Sequence, residues 1–589
     1  MCWLYLQPME TWLTDTSTTE RFPLYTRGNA DEVGPEPFPP LTWSLAWERG
    51  ASPGTADAWV HLGAFRSEEF RQPVPEVFGC WGGYFYNQVS VGRVFGARMP
   101  GGSPDAIDQA YFGANPDVPP YVADPRDEDT ALSDAVGTRL GEILGADAVP
   151  AYAEEFFRKV RQWAAERPDL ASLDDADLVA HGREACLRLR ETWDVYAQIV
   201  VSASVGPGAV AAIARAFGRA NDAVAVFTSL GGVETAGTAA QVWELSRLVR
   251  RSGALTAAFD EGVEGLLERF DRSTDPEVVT FAQGFQALLA EYGHRGPNEW
   301  DLASDTWLTK PTIALGMIDR IRLQDDEHSP TERAFAGVAL RERITSELEA
   351  AAAVDPPSQE TLRAAIRSGQ LFYRIREGGK DAAVRVMLEA KLPFFELGRR
   401  MAERGPLADE RHVFQLLDSE LDAFVANSAG WSERLAQRAT EFATLSDLEP
   451  PYTVMHGRPV PPIDTWPLRE RPGDEALVAK PGDQLAGIGV SPGVVSGRAR
   501  VVYDVSEAGD LEPGDVLVCG TTDPSWVPLF MVAGGVVCEI GAQASHAAIV
   551  SREMGVPCVV SVAGARSRIP VGALVTVDGS TGTVTVDEA

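Results

Sequence analysis

The chain has 589 residues, of which 45% are hydrophobic and 23% charged, and that length predicts two or three domains, each able to bury a core. With 85 acidic against 52 basic residues its formal charge is −33, which repels phosphate backbones and anionic lipid, so neither nucleic acid nor a membrane is an expected partner. Any phosphate the protein handles must therefore meet a local cationic site, because the overall field opposes it.

At the N-terminus, Met1-Cys2-Trp3-Leu4 is followed by acids and hydroxyls, with no basic region and no small-residue cleavage site, so the expected compartment is the cytoplasm. Residues 1–125 are rich in Gly, Pro and aromatics, as in Phe38-Pro39-Pro40-Leu41-Thr42-Trp43 and Gly79-Cys80-Trp81-Gly82-Gly83-Tyr84, and predict irregular, loop-heavy structure. Residues 126–448 turn helical, with Ala, Leu, Glu and Arg at 3.6-residue spacing, as in Glu154-Glu155-Phe156-Phe157-Arg158-Lys159-Val160. Their most apolar stretch, Ala197 to Phe217, contains Gly206-Pro207-Gly208 and reads as buried helix and turn; no apolar run is expected to be long enough to cross a bilayer.

The segment 449–485 gathers Pro450, Pro451, Pro459, Pro461, Pro462, Pro467, Pro472 and Pro481, the composition of a semi-rigid linker. In residues 486–589 the period changes: Gly497 to Val502, Asp515 to Cys519, Gly535 to Cys538 and Leu574 to Asp578 predict short strands between glycine turns, with one helix at about 546–554. The fold class is thus multidomain, a mainly α-helical body followed by a small α/β domain. Cys2, Cys80, Cys186, Cys519, Cys538 and Cys558 lack C-x-x-C spacing and read as inert buried thiols, with no metal site or disulfide framework expected.

Within the last domain, Gly541-Ala542-Gln543-Ala544-Ser545-His546-Ala547-Ala548-Ile549 through Gly555 and Pro557 reads as loop, helix and stop. Ser545 is placed to cap the helix, Gly555 suits the C′ position and Pro557 prevents continuation. His546 then stands in the first turn, where unpaired N–H groups and the positive dipole end stabilise an anion on its ring. Neutral imidazole is nucleophilic near pH 7, so it can accept a phosphoryl group and surrender it. An isolated histidine at such a place is more often a packed residue, and the surrounding residues reverse that reading.

Those residues resemble the mobile phosphohistidine domain of the phosphoenolpyruvate-utilising enzymes. Ser545-His546-Ala547-Ala548-Ile549, Arg552-Glu553, Gly555 and Pro557 match its pattern, Gly487-Ile488-Gly489-Val490-Ser491-Pro492-Gly493 matches its opening, and Asp523-Pro524 with Trp526 fits its turn before the active loop. The family commonly carries a glycine where Ala542 stands. The resemblance implies a swivelling domain that relays phosphate through His546, and which ring nitrogen carries it is left open.

Two polar clusters stand out in the body. Tyr292-Gly293-His294-Arg295-Gly296-Pro297-Asn298-Glu299-Trp300-Asp301 concentrates charge at a helix end, and in Arg376-Glu377-Gly378-Gly379-Lys380 a planar fork and a point charge can hold one phosphoryl group while Glu377 accepts a proton from a hydroxyl. Spacing alone fits a surface ion-pair network or a cap as well. Both clusters resemble the substrate domain of rifampin phosphotransferase and its relatives, on Tyr292, Gly293, Arg295, Gly296, Glu299 and Asp301, and on Arg376, Glu377 and Lys380. Weaker matches at Asn29-Ala30-Asp31-Glu32-Val33, Pro40-Leu41-Thr42, Leu397-Gly398, Phe414 and Glu420 extend it over residues 25 to 425. Gly379 departs from a common proline, and Ser304-Asp305-Thr306-Trp307 from a more basic segment.

The resemblance implies that residues 1–448 form a substrate-binding body. In it Arg376, Glu377 and Lys380 serve transfer with His546, while His294, Arg295, Glu299, Asp301 and Ser545 bind substrate or phosphate. It further implies a small hydroxylated organic acceptor. With no G-x-x-x-x-G-K-[ST] loop and no room seen for an ATP-grasp domain, ATP and Mg²⁺ are expected to act through a separate ATP-grasp subunit. A condensing enzyme of the prodigiosin-ligase type, or a non-catalytic phosphocarrier or regulatory subunit, are the alternatives.

Overall fold

The computed structural model describes residues 14–28, 30, 33–112, 118–231, 234–326, 330–469, 478–503, 511–522, 526–541 and 545–588. The expected match at Asn29, Asp31 and Glu32, the turn at Asp523-Pro524 and the departure at Ala542 lie outside them.

The N-terminal stretch is more regular than its Gly and Pro content predicts. A π-helix, Thr42–Ala51, runs into an α-helix, Ser52–His61, and strands β1 (Leu24–Thr26), β2 (Phe78–Trp81) and β3 (Tyr84–Gln88) form an antiparallel sheet. Gly82 and Gly83, both at positive φ (56° and 79°), make the two-residue turn between β2 and β3, and the aromatic residues around them suit a pleated surface. The fourth strand, β4 (Thr453–Met455), comes from the proline-rich segment and pairs with β1, Val454 opposite Tyr25. Trp466 is buried beside Tyr84, and Arg469 donates to the Pro35 carbonyl at 2.9 Å. Residues 453–469 of the expected linker are therefore built into the N-terminal unit.

Two long helices organise the body. Helix α1 (Asp175–Ala216) is capped by Asp174, whose carboxylate accepts the Asp177 amide at 2.8 Å, and it runs through Gly206-Pro207-Gly208 without the expected turn. Tertiary contact overrides the local signal here. A Cβ on Gly206 would lie 2.6 Å from the Ala365 carbonyl and from Gly369 backbone atoms, so the missing side chain lets two helices cross closely, and that packing offsets the bond lost at Pro207. By length and composition α1 is also apolar enough to cross a membrane, contrary to expectation, although Leu189, Trp193 and Ile199 are buried in the protein's core.

Helix α2 (Pro276–Tyr292) ends at Gly293 and leads through the polar turn 293–301 towards α3 (Thr312–Arg322) and α4 (Pro330–Ala352). Helix α5 (Pro356–Arg404) spans 49 residues and lies along α1. It passes through Gly378-Gly379 unbroken, because a Cβ on Gly379 would sit 3.3 Å from Tyr196 and Ile199 of α1, another close approach. Trp43, Trp47, Trp193 and Trp300 fill the core beside this pair.

The C-terminal unit is one eight-stranded sheet, in the order β5 (Gln484–Ala486), β12 (Thr583–Glu588), β11 (Leu574–Asp578), β7 (Val494–Val502), β8 (Val516–Cys519), β9 (Gly535–Cys538), β10 (Cys558–Val560) and β6 (Ile488–Ser491). Its middle, β7-β8-β9-β10, is parallel, and the Val-rich runs of β8 and β9 are wholly buried as such strands require. Helices α6 (Val527–Val532) and α7 (His546–Met554) stand on it, the latter at the predicted boundaries. Leu529 and Phe530 of α6 belong to the same apolar cluster as Ile318 and Ile321 of α3, so this unit sits docked against the helical body.

Gly206→Ala should lower the thermal midpoint by several degrees, since added bulk against backbone costs about 1–3 kcal/mol. Gly208→Ala, two residues on and with open space around its Cβ position, should instead raise stability by about 0.5–1 kcal/mol. Thermal unfolding of both variants tests the helix crossing.

Candidate functional site

Ser545 lies in extended backbone at the start of α7 and its Oγ accepts the Ala548 amide at 3.3 Å, while Gly555 closes the helix at φ +66°. This fixes His546 as the first helical residue. Its Nδ1 is 3.0 Å from Thr522 Oγ1 and its ring meets Phe530 edge-on at 6.2 Å. Nε2 is buried and has no hydrogen-bond partner among the described residues. Burial first, then the positive charges of Lys380, Arg295 and Arg376, push the His546 pKa well below its ordinary 6.5, so the ring is neutral around pH 7 with an available lone pair.

Those three cations come from both clusters of the body. On α5, Arg376, Glu377 and Lys380 occupy one turn and the next; Lys380 Nζ is 3.7 Å from Glu299 Oε2, and Arg376 Nη1 is 3.8 Å from Glu377 Oε1. Arg295 donates to Asp381 Oδ1 at 2.8 Å and reaches Glu299 Oε1 at 3.4 Å. The structure thus brings His546, Arg295, Glu299, Arg376 and Lys380 into one neighbourhood.

Asp381 is the residue that sequence reasoning missed. Its carboxylate also accepts His294 Nε2 at 2.7 Å and Arg385 Nε at 2.7 Å. Burial pushes its pKa up, but His294, Arg295 and Arg385 outweigh burial and hold it well below the usual carboxylate range. His294, lowered by burial, is accordingly a neutral donor to Asp381, orienting the acid that orients Arg295. The signal available was Asp381 four residues before Arg385 on a helix face.

Asp301 has a different place. It accepts Thr42 Oγ1 at 2.5 Å, the Ala303 amide at 3.0 Å and Ser304 Oγ at 3.3 Å, which braces the loop after the turn. Behind it Lys391, pushed down to about 8 by burial, donates to the Ser304 carbonyl at 3.1 Å. Glu377 faces a cleft lined also by Phe227, Leu230, Tyr373, Ile549, Arg552 and Glu553, where Phe227 and Tyr373 stack at 5.4 Å. The cleft has room for about one water.

The thiols stand apart from this chemistry. Cys80, Cys186, Cys519, Cys538 and Cys558 are all buried; Cys519 and Cys538 lie 3.5 Å apart, and the neighbouring thiols and burial push Cys538 well above its ordinary value.

Residues 511–582 match the PEP-utilising enzyme mobile domain. This segment is what the chain shares with the PEP-utilising enzymes. Residues 196–377 match the rifampicin phosphotransferase fourth domain, a span that holds Arg295, Glu299, Arg376 and Glu377 and stops three residues short of Lys380. An uncharacterised protein of Mycobacterium tuberculosis is 28% identical over 98% of this chain and 62% of its own length. Rifampicin phosphotransferase of Streptomyces sviceus is 31% identical over 51% of this chain and 34% of its own, and prodigiosin synthesizing transferase PigC of Serratia marcescens is 29% identical over 61% and 39%. The chain therefore spans less than two thirds of the length of these relatives. The two matched segments are the two that meet at His546.

Lys380→Ala removes one positive neighbour and should raise the His546 pKa, while burial keeps it below 6.5; NMR titration of the seven histidines reads the shift. Because docking depresses this pKa, its contribution to docking is complete above pH 6.5 and lost as pH falls below it. Glu553, raised by burial, works in the opposite sense, so His546→Gln is the reference titration.

Proposed function

We propose that this chain is a phosphotransferase subunit in which phospho-His546 donates to a hydroxyl of a small organic acceptor held by the helical body. The observation that carries the reading is His546 Nε2, buried with no partner among the described residues, on a ring close enough to Arg295, Arg376 and Lys380 of the body for their charge to depress its pKa. A phosphoryl group is the anion this arrangement suits: three cations offset its charge in a site where burial strengthens them.

In the transfer step the bond from Nε2 to phosphorus breaks as the acceptor oxygen bonds to phosphorus. The hydroxyl proton passes to Glu377, and the lone pair returns to Nε2. In this scheme Nδ1, 3.0 Å from Thr522 Oγ1, keeps its proton throughout, so imidazole leaves neutral and needs no acid. Arg376 and Lys380 stabilise charge on the moving group, with Arg295 set by Asp381 and His294. Ser545 acts through the cap that places the ring.

Charging takes place elsewhere. ATP with Mg²⁺ supplies the phosphoryl group from an ATP-grasp subunit, and the domain that carries His546 swivels between that partner and the body. The match to PigC favours a second reading, in which the phosphorylated acceptor is an intermediate attacked by another substrate. The two differ in whether a phosphorylated product or only a coupled one accumulates. Both readings place the protein in the cytoplasm, where ATP is available.

Intact-protein mass spectrometry after incubation with ATP and Mg²⁺, with and without a candidate ATP-grasp partner, should show one acid-labile phosphate on wild type and none on His546→Ala. Lys380→Ala should still charge but transfer on the order of a hundredfold more slowly, as for loss of one group aimed at transition-state charge. No phosphate on the wild type under any condition overturns the proposal.

A further inference from the structure

A loop of the body, Thr228 to Gly231, meets the far end of α7 from His546. Its carbonyls all face arginines of the body. Arg341 on α4 donates to the carbonyls of Thr228, at 2.7 Å, and of Ser229; Arg374 on α5 donates to those of Leu230, at 3.0 Å, and Gly231, at 3.2 Å. With the carbonyls held on one side, the Leu230 amide is turned to the other. There the Leu230 N–H donates to Glu553 Oε1 at 3.0 Å, and Ser229 Oγ donates at 3.3 Å to the Arg552 carbonyl in the last turn of α7, which also accepts the Gly555 amide at 3.4 Å.

The loop is shaped for this. Ser229 and Gly231 both have positive φ, 46° and 66°, and successive amides in such backbone form an anion-binding concavity. A Cβ on Gly337 of α4 would fall 1.9 Å from Ser229 Oγ, so only glycine there leaves the serine its place. From the other side, Arg552 Nε donates to the Val490 carbonyl of β6 at 2.6 Å and Nη1 reaches Tyr373 Oη at 3.4 Å, which ties the tip of α7 both to its own sheet and to the body. Among the described residues none of these groups hydrogen-bonds to His546, Lys380 or Arg295, and the transfer chemistry does not require them.

We infer that the 228–231 loop is a docking receptor for the Arg552-Glu553 tip of α7, and that this contact sets how long the phosphohistidine domain dwells against the body. Glu553, Ser229, Arg341 and Arg374 are positioning residues: they hold the end of the helix whose start carries His546, and so fix where Nε2 lies. The inference rests on the reading of a mobile domain, but its test needs neither nucleotide nor acceptor.

The full chain, labelled through Val354→Cys on the body and Val571→Cys on the C-terminal sheet, both exposed, reports docking as a distance distribution by single-molecule fluorescence energy transfer. Glu553→Ala should raise the undocked fraction by roughly tenfold or more, the scale of losing a charge-assisted hydrogen bond at a buried site. Glu553→Gln, which keeps an oxygen to accept the Leu230 amide, should recover most of the docking. Arg374→Ala, on the opposite domain, should act in the same direction, and the pair should be markedly less than additive. Phosphorylation of His546 by phosphoramidate in every variant checks that its domain is folded. Distance distributions of Glu553→Ala and Arg374→Ala identical to wild type overturn the latch, as does strict additivity. Loss of His546 phosphorylation in wild type would instead overturn the relay and leave the docking result standing.

Discussion

A neutral imidazole beside three cations, its buried Nε2 without a partner among the described residues, is the constraint on which the rest of this structure depends. Cations cluster only where something offsets their repulsion. Glu299, Glu377 and Asp381 supply that among the described residues, and each is itself buried. The carboxylates pair with the cations, and the positive charge still acting on His546 is enough to depress its pKa. A phosphoryl group entering between ring and cations meets charge that is already in place, so little has to reorganise during transfer.

Keeping four cations and three acids in register requires stiff elements. Helix α5 presents Arg376, Glu377, Lys380, Asp381 and Arg385 along its face, and it can be stiff because α1 lies against it through Gly379, and through Gly206 against Gly369. Glycines that would weaken an isolated helix are here the means by which two helices come close enough to share a core. The tryptophans beside them complete that core, with Trp300 carried by the same turn that carries Arg295 and Glu299.

What was legible in the sequence is what local physics decides. Ser545, His546 and Gly555 form a cap, a first turn and a left-handed stop within eleven residues, and the structure has each where the pattern puts it. The Arg376, Glu377 and Lys380 spacing likewise survives because one helix carries all three. The misreadings have the opposite character. Gly206-Pro207-Gly208 signals a turn to any local rule, and only Ala365 and Gly369, more than 150 residues away, keep it helical. Strand β4 sits among prolines and is a strand because β1 offers it an edge. Strands β10 and β6 are three and four residues long, too short to show a period, and are fixed by pairing with each other and with β9. Asp381 has two of its partners, His294 and Arg295, 87 and 86 residues away, so nothing nearby marks it as the hub of the cluster.

On the proposed reading, the same charges also give the domain motion a direction. A phosphorylated His546 brings about two negative charges to a face that holds Arg295, Arg376 and Lys380, and docking is favoured by their attraction. Once the group has left, a neutral ring remains against three cations; the electrostatic attraction is gone and the cost of its burial is not. What then holds the domain is the apolar contact of α6 with α3 and the few hydrogen bonds at the 228–231 loop. A ligand can shift a two-state equilibrium only by its differential interaction with the two states, and the phosphoryl group has a large one. The domain is therefore drawn in while loaded and loosened when spent, and the strength of the contact at Glu553 decides how far the spent state lags behind.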